Sequence, residues 1–135
     1  MTDTRQATDI VENLFDALRL RETDRALALL DEKIVWHNVG LPKVRGISNV
    51  GRFLTLLAKP GYGFDVVVHN IAADGDVVLT ERTDVLIWRR LRVEFWVCGT
   101  FELRDGKVAV WRDYFDNVDF LKGVARGVLR AAVGR

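Results

Sequence analysis

Cysteine is almost absent: Cys98 is alone in 135 residues, which excludes an internal disulfide and a cysteine-only metal site. Histidine is nearly as scarce. His37 and His69 leave little for zinc beyond carboxylates, and their spacing is not that of metal ligands. An excess of one charge is also missing: 20 Lys+Arg stand against 19 Asp+Glu, whereas a nucleic-acid surface usually needs a strong basic excess. No apolar run is long enough to span a bilayer, and the polar start Met1-Thr2-Asp3-Thr4-Arg5 is followed by no apolar signal core. A cytoplasmic address is therefore the default, and no membrane association is expected. Gly61-Tyr62-Gly63 follows a proline and precedes a strand, so it reads as a turn and not a phosphate loop. What remains is 49% hydrophobic and 29% charged, the balance of one soluble globular domain over 1–135 with a real core.

The first half of the chain reads as helices. Ile10, Val11, Leu14, Ala17 and Leu18 follow the three-and-four spacing of an amphipathic helix near 4–20. Thr23 or Asp24 is the expected cap of a second helix through Leu30, and Ser48 or Asn49 that of a third, ended by Pro60-Gly61. Between them Lys33–Asn38 is a short strand, broken by Gly40-Leu41-Pro42. From Phe64 the texture changes to strands: Phe64–Ala72, Val77–Trp88, Leu91–Leu103 and Lys107–Asp116, with hairpin signals at Asp74-Gly75 and Asp105-Gly106. Helices followed by an antiparallel meander make an α+β pattern, a curved sheet covered on one face with a pocket beneath. A last helix is expected over 118–133, weakened by Gly123 and Gly127. Its Lys122, Arg126 and Arg130 form a basic stripe, read first as a solvated face opposite an apolar packing face, with a membrane-surface helix as the alternative.

Candidate chemistry lies in the strands. Strand alternation puts Thr80, Arg82, Asp84 and Leu86 on one face, and Ala109, Trp111, Asp113 and Phe115 on another. Val108, Val110, Arg112 and Tyr114 take the opposite face. A carboxylate on an apolar face needs a partner to offset its desolvation, and the planar fork of Arg82 can bind two carboxylates at once. Two readings are open: an acid/base device, or a structural ion pair tying neighbouring strands. Asn38 shares a face with Ile34 and Trp36, where it either aims inward or merely ends the strand. Glu81, His37 and His69 read as surface groups, and Cys98 as an inert thiol.

Leu79-Thr80-Glu81-Arg82-Thr83-Asp84-Val85-Leu86, then Gly99-Thr100-Phe101-Glu102-Leu103-Arg104-Asp105-Gly106-Lys107, then Trp111-Arg112-Asp113-Tyr114-Phe115-Asp116, with Val35-Trp36-His37-Asn38-Val39-Gly40-Leu41 upstream, together resemble the limonene-1,2-epoxide hydrolase family. They are most similar to its actinobacterial branch. The resemblance implies a cone of curved sheet packed by helices, related to ketosteroid isomerases and nuclear-transport-factor-like proteins, and a homodimer. It implies that Asp113 is the base that deprotonates water, that Arg82 bridges the two carboxylates, and that Asp84 is the acid that protonates the epoxide oxygen. Asn38, with Trp36 where the family usually has tyrosine, would hold the water. Neither metal nor cofactor is implied. Phe64, Val66, Val68, Leu86 and Trp111 are expected pocket walls for a lipophilic epoxide of terpenoid, sterol or fatty-acid type. The competing expectations are a ketosteroid-isomerase or cyclase-type enzyme, and a binding protein without catalysis.

Overall fold

A computed structural model describes residues 4–133; Met1, Thr2 and Asp3 of the polar N-terminal stretch lie outside them. The elements in order are α1 (Thr4–Arg19), α2 (Thr23–Ala28), β1 (Leu30–Asn38), β2 (Val44–Arg45), α3 (Ile47–Leu57), β3 (Tyr62–Asp74), β4 (Val77–Trp88), β5 (Leu91–Arg104), β6 (Lys107–Phe115) and α4 (Asn117–Val133). The six strands form one sheet in the order β2-β1-β6-β5-β4-β3. β1 runs parallel to β6, and every other pairing is antiparallel. The fold is the expected α+β curved sheet with helices at the N-terminal side and one at the end. No helix of the described residues is long and apolar enough to cross a membrane.

Turn chemistry sets the meander. Gly75, at φ +58°, opens the β3–β4 turn, and Asp105 and Gly106, at φ +52° and +77°, make the left-handed pair that suits a twisted hairpin. The expected helix caps are corrected: Glu22 and Gly46 occupy the N-cap positions, without side-chain cap bonds, so Thr23 and Ser48 lie inside their helices. Ala7, Val11, Leu14, Phe15 and Leu18 of α1 pack with Ile34, Phe101 and Trp111 in the main core. A bulge in β6 alters its faces. Leu103 pairs with Val108 but Glu102 with Val110, so Ala109 is extra and both Val108 and Ala109 are buried. The expected outward direction of Val108 fails for that reason.

α4 departs most from expectation. β6 stops opposite Val97, leaving the earlier half of β5 without a strand neighbour on that side. α4 lies along this open edge: Trp96 N–H donates to Asp119 Oδ2 at 2.8 Å, and a methyl group on Gly123 or Gly127 would collide with the backbone carbonyls of Glu94 and Arg92. Glycines four residues apart share one helix face, so they let the helix close on a strand edge that would otherwise be exposed. They are the packing face, not a weakness. Gly123→Ala in a free helix would gain up to about 1 kcal/mol of propensity. Here overpacking, about 1–3 kcal/mol, wins. A lowered midpoint of thermal unfolding for Gly123→Ala and for Gly127→Ala is the expected result.

Candidate active site

Register builds the site. Thr80 stands opposite Gly99 across β4–β5, Gly99 opposite Asp113 across β5–β6, and Asn38 beside Asp113 across β1–β6. Four strands thus bring Arg82, Asp84, Asp113 and Asn38 to one region of the inner face.

Arg82 is the hub and is fully buried. Its Nε and Nη2 donate to Asp84 Oδ1 and Oδ2, both at 2.9 Å, in a two-point fork. Nη2 also donates to Asp113 Oδ1 at 3.0 Å, and Nη1 to Thr80 Oγ1 at 3.1 Å. The Phe15 ring lies against the guanidinium, 4.7 Å from its centroid. Burial works against the Arg82 charge, but Asp113 and Asp84 outweigh it and its pKa is raised.

Asp113 is 5% exposed, and its second oxygen, Oδ2, accepts the Trp111 indole N–H at 3.1 Å. Burial is the largest influence on its titration and pushes the pKa up, the charge of Asp84 adds to this, and Arg82 pulls the other way. The result is a pKa of about 6. Desolvation therefore prevails over the ion pair, and Asp113 titrates close to neutrality, where a general base works best.

A cavity of about 290 Å³ opens above this network. Asp84, Asp113 and Asn38 are the polar groups in its wall; the rest is apolar, including Leu18, Phe53, Phe64, Leu86, Phe95 and Trp111. Of the expected walls, Phe64, Leu86 and Trp111 reach it. Val66 and Val68 do not: they lie on the same face of β3 but pack against the main core. Arg82 is behind the wall, touching the cavity only through its carboxylate partners.

Trp36 lines the cavity and stacks on Trp111, with centroids 5.2 Å apart. Its Nε1 is buried and has no hydrogen-bond partner among the described residues. A buried N–H cannot touch a water in the cavity, so the expected water-holding role of Trp36 does not fit this geometry. The ring is a wall. Asn38 and Asp113 both line the cavity.

The outer sheet face holds the surface groups. Glu81 accepts from Asn70 Nδ2 and Trp96 Nε1, bonds that lower its pKa, and His69 meets Thr83 Oγ1 at 2.8 Å. Cys98 is half-buried and burial raises its thiol pKa, which suits an inert thiol.

Sequence reasoning missed two residues. Thr80 holds the third corner of Arg82, and Gly99 makes the site possible. A methyl group there would come within 3.0 Å of Arg82 Nη1, Asp113 Oδ1 and Thr80 Oγ1. A lone glycine inside a strand is the signal that such a close approach leaves in a sequence. Gly99→Ala is expected to cost about 1–3 kcal/mol in unfolding free energy by overpacking and to lower kcat/KM, because the methyl displaces the bridge itself.

A helix-covered, curved six-stranded sheet with a buried Asp–Arg–Asp network under an apolar cavity defines a class of cone-shaped α+β domain. The NTF2-like protein of unknown function from Burkholderia pseudomallei has this fold, with a TM-score of 0.73, 12% identity and coverage of 88% of this chain and 97% of that one. Within that class the chain belongs to the limonene-1,2-epoxide hydrolase family, whose catalytic-domain model matches residues 5–126. It is 45% identical over 123 residues to the epoxide hydrolase EphG of Mycobacterium tuberculosis, covering 91% of this chain and 82% of that protein. The structure of an M. tuberculosis LEH-like epoxide hydrolase superimposes with a TM-score of 0.92 at 43% identity, covering 98% of both chains.

Proposed function

We propose that this epoxide hydrolase adds water to a lipophilic epoxide in one step, with Asp113 as general base, Asp84 as general acid and Arg82 between them. The observation that carries the reading is a single guanidinium joining two carboxylates that both reach the wall of an apolar cavity. Among the described residues the cavity wall holds no other acid or base. Water between Asn38 and Asp113 gives a proton to Asp113 as it attacks a ring carbon. The C–O bond breaks towards Asp84, which supplies the proton to the new alkoxide. Each transfer contributes about 10²–10⁴-fold. No covalent ester and no metal or cofactor enters these steps.

Among the described residues no lysine or arginine side chain lines the cavity. That favours an uncharged terpenoid or sterol-type epoxide over one that must bury a carboxylate beside the two aspartates. A cytoplasmic homodimer belongs to the same reading, and sedimentation of the purified protein checks the dimer. A panel of epoxides turned over in ¹⁸O-labelled water tests the mechanism. Label in the diol, and none in protein carboxylates after a single turnover, is the expected result; label in an aspartate would mean a covalent ester instead.

The pH profile follows from the base. Asp113 must be unprotonated to take the water's proton, and burial raises its pKa to about 6. The expected kcat/KM therefore rises with pH towards about 6, approaching tenfold per unit at the acid end, and levels off above it as Asp113 becomes fully ionised. A kcat/KM that stays flat between about pH 4 and 6 would remove Asp113 as the base.

A further inference from the structure

α4 spends its buried side on Gly123 and Gly127, flanked by Phe120 and Val124, so its remaining apolar residues point outward. Val118, Leu121, Val128 and Leu129 are 59%, 64%, 51% and 65% exposed. At 100° per residue these positions, with Ala125 and Ala132 between them, fall in one arc opposite the glycines. Lys122, Arg126 and Arg130, all exposed, border this stripe on one side. The sequence expectation of a solvated face opposite an apolar packing face is therefore inverted.

We propose that this outer face of α4 docks on an anionic lipid surface, with the aliphatic stripe entering the headgroup boundary and the three cations meeting phosphate or carboxylate headgroups. Charge decides the occupant. Three cations face one acid, Asp119, whose Oδ2 is already engaged by Trp96 N–H. Two copies pairing through this stripe would bring cations against cations, with Asp119 the one acid among the described residues of α4 to answer them. The stripe is aliphatic throughout, without the aromatic anchors that mark a protein-binding hot spot, and long cationic side chains beside it can snorkel to headgroups. The docking stands apart from the catalytic reading. If that reading holds, it places the cavity at the phase into which a lipophilic epoxide partitions.

The test is co-sedimentation of the full chain with vesicles of phosphatidylcholine alone and of phosphatidylcholine mixed with phosphatidylglycerol. Binding to the mixed vesicles, weak on phosphatidylcholine and reduced by salt, is expected. The charge-reversal variant K122E/R126E/R130E should partition at least about a hundred-fold less, since losing each cation near an anionic surface is worth roughly a factor of five and each new glutamate adds repulsion. Leu121→Ser/Leu129→Ser should bind weakly with its charge unchanged. Both variants should hydrolyse a small soluble epoxide at the parent rate, which shows that they fold. The proposal is overturned by no binding to mixed vesicles at low salt, or by Leu121→Ser/Leu129→Ser binding as tightly as the parent. It is also overturned if that double variant converts a dimer to a monomer, for then a second copy covers the stripe.

Discussion

Asp113→Asn is expected to lower kcat/KM for epoxide hydrolysis by about 10²–10⁴-fold, because it removes the group that takes the water's proton. The fold should persist, and two opposing effects decide its stability. Burying Asp113 as an anion carries a cost: its pKa rises from the unfolded 3.8 to about 6, which corresponds to about 3 kcal/mol. The sign is that of a raised pKa. The stabilising contribution of Asp113 is fully present below its unfolded pKa and is lost as pH rises through about 6. Asparagine escapes that cost at neutral pH. It forfeits a hydrogen bond, however, because one amide oxygen cannot accept from both Arg82 Nη2 and Trp111 Nε1, and its NH₂ must face one of these donors. A buried bond lost costs about 1–3 kcal/mol, so at pH 7 the two effects nearly cancel. At pH 4 the parent pays little for charge, and the variant should be the less stable of the two. Unfolding in urea at both values checks the crossover, and undiminished hydrolysis by the variant would remove Asp113 from the mechanism.

The parts of this protein that were legible in its sequence are those that depend on short-range period. Arg82 and Asp84 share a face because they are two residues apart in a strand, and the same is true of Trp111 and Asp113. What brings the two pairs together is register through Gly99, which no single strand encodes. The walls show a similar division. Period two placed Phe64, Val66 and Val68 on one face, but how far along β3 the cavity extends depends on where α1 and α3 land. The Trp111–Asp113 bond, between residues on one strand face, depends on a rotamer choice. α4 reverses the sequence expectation for a physical reason: glycine in a helix looks like a propensity cost until a strand edge requires a helix without side chains on one side. β2, two residues long, is too short for any pattern to show it.

The largest loss of stability is expected from Arg82. Arg82→Met removes the cation from between two carboxylates that are 6% and 5% exposed, and leaves both unpaired. Breaking a buried pair on one side costs about 3–5 kcal/mol. The deficit should depend on pH in a defined direction. Without the guanidinium Asp113 loses the cation that opposes its desolvation, so its pKa rises further above the unfolded value, and stability is retained at low pH and lost as pH rises. The difference from the parent should therefore be larger at pH 7 than at pH 5. Arg82→Lys should fall between, since one ammonium cannot reproduce the two-point fork to Asp84 while also reaching Asp113 and Thr80. A triple change separates the two roles of the network. Arg82→Met/Asp84→Leu/Asp113→Leu exchanges all three charges for apolar side chains, and should recover much of the lost stability, because a buried ion cluster is often no more stable than its hydrophobic replacement. It should recover no activity. If it instead unfolds at a lower urea concentration than Arg82→Met alone, the network serves the fold first and the proton transfers second.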